Sequence, residues 1–100
     1  LLEGDGELVQ RLLPLRQLNN LGPAIYVDAM RYVRRRRCDD ISDSRLLFEV
    51  FYAFFLPQFE GIDEHTAVSL YRSVASQLEP PEQQEARRVI TELLGEELVG

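Results

Sequence analysis

Residues 45–56 read Arg45-Leu46-Leu47-Phe48-Glu49-Val50-Phe51-Tyr52-Ala53-Phe54-Phe55-Leu56, and this stretch decides the fold. A helix drawn through Leu46–Leu56 is apolar on all sides, with Glu49 as its only interruption. Neighbours must cover such a helix over most of its circumference. Its 11 residues are too few to cross a bilayer, which takes about 20. The stretch therefore predicts the central helix of a bundle. Pro57 ends or bends it, Phe59 can still pack, and Gly61 closes the excursion.

Working outward, four further helices are predicted and no stretch alternates as a strand does. Asp5 is the expected N-cap of a first helix, with Glu7 in its first turn, where the helix dipole favours an acid. Leu8, Val9, Leu12 and Leu13 recur at helical spacing, and Pro14 ends or kinks the run, leaving one further turn over Pro14–Leu18. Gly22-Pro23 opens the second helix, since proline at the first helical position loses no hydrogen bond. Its inner face is read as Ile25, Ala29, Tyr32 and Val33, widened by Val27 and Met30. Ser42 or Ser44 caps the central helix. Asp63 caps the next, where Ala67, Leu70, Tyr71, Val74 and Leu78 form an i, i+3, i+4 stripe. Pro80-Pro81 separates it from a last helix with Ala86, Val89, Ile90, Leu93 and Leu94 inward and Gly95 in the left-handed closing position. The expected architecture is all-α, a single compact bundle of four to five helices spanning residues 1–100.

Composition narrows the function classes. The net charge of −6 argues against a nucleic-acid binder that works through overall charge. Cys38 is the only cysteine, so no disulfide can form within the chain and nothing points to an oxidising compartment. The opening Leu1-Leu2-Glu3-Gly4-Asp5 has no basic region, is not a signal peptide, and reads as a cut inside a longer, cytoplasmic protein. His65 is the single histidine and sits in a first helical turn beside Asp63 and Glu64, a solvent-facing position rather than a catalytic one. One His and one Cys far apart do not make a zinc site, and the glycines form no phosphate-binding pattern. By itself the chain is not expected to be catalytic.

Two clusters have both a functional and a structural reading. Arg34–Arg37 could contact a nucleotide phosphate, nucleic acid or an acidic partner, yet Asp39, Asp40 and Asp43 follow closely enough to neutralise a solvated helix end. Phe48, Phe51, Tyr52, Phe54, Phe55 and Phe59 could line a pocket, and such a cluster is more often core. The central helix nevertheless carries more apolar surface than 100 residues easily cover, so part of it is expected to face a partner. Glu82, Glu85, Glu92, Glu96 and Glu97, partly balanced by Arg87 and Arg88, read as a solvated face.

One pattern carries a family resemblance. Leu21-Gly22-Pro23-Ala24 opens a helix bearing Asp28 and Tyr32, and the central helix ends Phe55-Leu56-Pro57-Gln58-Phe59-Glu60-Gly61. Together, across about residues 8–94, these resemble the C-terminal helical lid of AAA+ ATPases in the MoxR-type and McrB-like, dynein-related branch. The resemblance implies a lid joined to a separate α/β core, with ATP and its magnesium between them and neighbouring subunits in a ring. It places Leu21, Gly22, Pro23, Ala24 and Tyr26 on the crevice side, in the sensor-2 region that faces the nucleotide. The family has an arginine two residues beyond Gly-Pro-x. Tyr26 stands at that place here, and Arg31 is the alternative phosphate contact. The rival expectation is a free-standing helical module that binds a protein through the aromatic face of the central helix. A third is a nucleic-acid-binding regulator using Arg31 and Arg34–Arg37.

Overall fold

A computed structural model describes residues 5–38 and 40–95, with side chains from Glu7 onward. The described chain is helical throughout: α1 (Asp5–Gln10), α2 (Pro23–Arg36), α3 (Asp43–Val50), α4 (Glu64–Ala75) and α5 (Pro80–Leu94), with short 3-10 turns at Leu13–Gln17 and Leu56–Phe59. The all-α bundle expected from the sequence is therefore present. α3 packs against α1, α2 and α5, while α4 packs on α5 and on the first 3-10 turn. The Cα radius of gyration is 13.0 Å, which is that of a compact chain of this length.

Capping chemistry sets the starts of α3 and α4 and the end of α5. The Ser42 hydroxyl accepts from the Arg45 N–H at 3.1 Å, and the Asp63 carboxylate accepts from the Thr66 N–H at 2.8 Å. That bond holds the Asp63 carboxyl below its ordinary range. Gly95 closes α5 at φ 85°, where a side chain would strain the backbone. Pro80 and Pro81 lie inside the first turn of α5 rather than ahead of it, and Glu79 is the N-cap residue. Proline is tolerated there because the first turn has no N–H bonds to lose. The expected Asp5 cap and the charges at Asp39, Glu96 and Glu97 lie outside the described side chains.

The central helix differs from the expected single α-helix. After Val50 the chain widens into one π turn, Phe51–Phe55, closed by a bond from the Leu56 N–H to the Phe51 carbonyl. The burial pattern supplies a reason. Leu47, Phe51 and Phe55 are all fully buried and recur every four residues. In an α-helix each step of four overshoots a full turn by about 40°. A wider turn takes up that drift and keeps both rings on the core side. Tyr52, 53% exposed, and Ala53 are left facing solvent, with Phe54 half-buried. The helix is thus not covered on every side, and its open side lies on the π turn.

Around it, Leu8, Leu12, Leu15, Val33, Leu46, Val50, Phe59, Leu70 and Ile90 complete the core. Leu13 and Val27, expected inward, are 42% and 41% exposed. Ala29 and Val33 face inward as expected, with Ile25, Met30 and Tyr32 partly buried against the core, and Tyr26 is the buried residue that the expected face of α2 did not include. Polar side chains tie the elements. Buried Ser44 donates to Glu82 and accepts the Glu79 N–H, both at 2.8 Å, fastening the start of α3 to the start of α5. Gln83 donates to the Ala75 and Leu78 carbonyls at the end of α4, and Asn19 donates to the Gln58 carbonyl.

Tyr26 makes a pH prediction. Burial raises its phenol above the ordinary value of 10.0, only partly offset by Arg16. An unfolded tyrosine then ionises first, so the contribution is intact below about pH 10 and is lost as pH rises through the folded value. Urea midpoints should fall over that alkaline window, and Tyr26→Phe should flatten the fall. An unaltered pH profile in Tyr26→Phe would refute this.

Candidate functional site

The residues expected at a nucleotide crevice do not gather at one point. Leu21 is buried, whereas Gly22, Pro23 and Ala24 are exposed at the start of α2. No side chain caps that end. The N–H groups of Ala24 and Ile25 thus lack helical partners. Gly22 has an ordinary extended conformation, φ −80° and ψ 164°, and a Cβ built on it would meet nothing within 4 Å. Nothing inside the domain requires glycine there.

Tyr26 turns inward. It is 9% exposed, its hydroxyl donates to the Leu12 carbonyl at 3.0 Å, and its ring meets Phe55 edge-on with centroids 5.1 Å apart. Its side chain is spent on joining α2 to the turn after α1 and to the π turn. Arg31 lies about 12 Å further along the helix axis than Pro23, at 1.5 Å per residue. It is exposed, with a loose ion pair to Asp28 at 3.8 Å.

Arg31 belongs instead to a groove of about 420 Å³ between α2 and the π turn, lined by Asp28, Arg31, Tyr32, Arg35, Arg36 and Phe54. Helical spacing puts residues 28, 31, 32 and 35 on one flank, because positions three and four apart are neighbours. The half-buried rings of Tyr32 and Phe54 meet edge-on at 5.6 Å and form the groove's aromatic wall.

Behind the groove stands Glu49, the lone acid of the central apolar stretch. Its carboxylate accepts from the Tyr32 hydroxyl at 2.8 Å and from Arg36 Nη2 at 3.4 Å, and it forms ion pairs with Arg36 Nε at 3.1 Å and Arg45 Nε at 3.6 Å. Arg45 continues the network to Glu85 of α5 and lies over the Phe48 ring, 5.2 Å from its centroid. Burial, and then the bond to Glu49, push the Tyr32 phenol above its ordinary value. The Glu49 charge also raises Arg36. In the sequence Glu49 stands out only as the interruption of the apolar stretch, yet a single acid inside an apolar helix must find a partner, and here the partners come from α2 and α3.

Arg34–Arg37 is consequently not one cationic surface. Arg36 is tied to Glu49, a tertiary pairing, and Arg37 pairs with Asp43 at 2.9 Å as the local acids suggested. Arg35 makes no ion pair among the described residues. His65 and Cys38 are exposed. Among the described residues no three His, Cys, Asp or Glu side chains converge as metal ligands, and no helix is long and apolar enough to cross a membrane. The groove can offer guanidinium donors beside an aromatic wall, a set that suits carboxylate or phosphate.

Comparison with known protein families, curated proteins and solved structures finds no match to this chain.

Proposed function

We propose that this domain is the helical lid of an AAA+ ATPase, closing over ATP held by a separate core domain. Its partners are then that core and the neighbouring subunits of a ring, in the cytoplasm. The reading rests on the resemblance of Leu21–Ala24 and Phe55–Gly61 to the family, and an all-helical bundle is compatible with it. The observation that carries it furthest is Gly22. Glycine is an ordinary N-cap, but the domain's own packing does not require it there, and a side chain at this exposed end would obstruct a surface coming close to it. With Tyr26 turned into the core, phosphate contact at this end falls to the N–H groups of Ala24 and Ile25 rather than to a side chain. Rotation of lid against core would couple hydrolysis to movement.

The test uses the full-length polypeptide that carries this domain. It should contain a Gly-x-x-x-x-Gly-Lys-Ser/Thr phosphate loop, and Gly22→Val should lower its ATP turnover by roughly tenfold or more while the melting temperature stays unchanged. Absence of the phosphate loop, or full turnover in Gly22→Val, would sink the reading. The alternative, a helical interaction module without nucleotide, is favoured by one observation, the 53% exposure of Tyr52 on the open side of the central helix.

A further inference from the structure

We infer that the groove between α2 and the π turn docks an acidic amphipathic helix of a partner protein, with carboxylates on Arg31 and Arg35 and an apolar residue against Phe54. The inference needs no nucleotide and holds whether or not the domain is an ATPase lid.

Three observations support this occupant. First, the cations have the right spacing. Arg31 and Arg35 stand one helical turn apart, about 6 Å along the axis, which matches acids placed one turn apart on a facing helix. Arg35 has no ion-pair partner among the described residues, and Arg31 has only the loose pair to Asp28. Both are available without breaking the Glu49 network.

Second, the wall beside them is apolar and unfinished. Phe54 is half-buried, and the adjoining Tyr52 and Ala53 are exposed. A second groove of about 320 Å³ meets the first at Tyr32 and sets Phe48, Tyr52 and Ala53 beside the Arg45–Glu85 pair, so aromatic surface continues beyond Tyr32. A single anion would leave that surface wet. A helix with one apolar stripe would cover it.

Third, charge selects a protein over a nucleic acid. The chain carries a net −6, which at long range repels a nucleic acid, with a charge at every phosphate, far more than a helix carrying two acids and a lysine. Asp28 stands in the same groove and would face a phosphate chain at close quarters. A peptide can place a basic residue opposite Asp28 and acids opposite Arg31 and Arg35, which no uniform backbone can.

The experiment is a fluorescence-anisotropy titration with three labelled probes. One is a helical peptide with glutamates one turn apart, a leucine between them and a lysine one turn before. The second is the same peptide with glutamines for glutamates, and the third is single-stranded DNA. The acidic peptide should bind roughly tenfold or more tightly than the glutamine peptide, and added salt should weaken it. Arg31→Ala/Arg35→Ala should remove that preference, and Arg72→Ala on α4 should not. Both arginines of the double variant are exposed, so far-UV circular dichroism and the melting temperature should stay unchanged. Equal binding of both peptides, no binding of either, an effect of Arg72→Ala as large as the double variant's, or tighter binding of DNA would each overturn the proposal.

Discussion

Replacing Phe55 with alanine is expected to destabilise the protein by about 3–5 kcal/mol, the largest effect of any single truncation considered. Phe55 is fully buried in the π turn and packs edge-on against Tyr26, whose hydroxyl in turn holds the Leu12 carbonyl. Removing the ring leaves a cavity where α2 and the central helix meet, and deprives Tyr26 of its neighbour. A domain of this size has a net stability of roughly 5–15 kcal/mol. The melting temperature should therefore fall by about 10 °C or more. Tyr52→Ala is the matched control, since Tyr52 lies three residues earlier in the same turn and is mostly exposed. It should change the melting temperature little. Similar losses in the two variants would mean that the wide turn does not aim Phe55 into the core.

The second large effect is expected at Glu49. Its carboxylate, 18% exposed, joins Tyr32 and Arg36 of α2 to Arg45 of α3. Glu49→Ala should cost about 1–3 kcal/mol, because it removes an acceptor from the half-buried Tyr32 hydroxyl. The arginines are closer to water and recover part of their solvation, which keeps the loss well below that of Phe55→Ala. Glu49→Gln keeps an acceptor for Tyr32 and should lose less than Glu49→Ala. A spectroscopic readout separates this from simple packing. Glu49 helps to raise the Tyr32 phenol, while burial supplies the largest part. In Glu49→Ala the Tyr32 titration should move toward its ordinary value without reaching it. An unmoved titration would show that the bond to Glu49 has no energetic weight.

Gly22 poses a different question. Local forces explain Gly61 and Gly95, both at φ 85°, since a side chain resists that conformation. Gly22, at φ −80° with open space around it, has only the mild N-cap preference of glycine behind it. In the proposed lid the contact with the core domain is therefore assigned to Gly22 rather than to the neighbouring Tyr26, which is buried and bonded to Leu12.

Most of the architecture was legible in the sequence because it depends on local, periodic signals. Pro23 at a first turn, a serine cap at Ser42 or Ser44, Asp63 as a cap, Gly95 as a left-handed stop, and the stripes of α4 and α5 are each decided by neighbours in the chain. The central apolar stretch likewise announced the core. Three things needed the tertiary structure. The widening of Phe51–Phe55 arises from the demand that Leu47, Phe51 and Phe55 all meet partners on one side, a demand set by α1, α2 and α5. The inward turn of Tyr26 depends on the Leu12 carbonyl 14 residues away. The groove depends on α2 lying beside the π turn, and the tertiary pairing there ties Arg36 to Glu49 while Arg35 of the same run stays open. Periodicity identifies which residues share a face. Which face is buried, and which charge finds a partner, is settled only when helices far apart in sequence compete for the same interior.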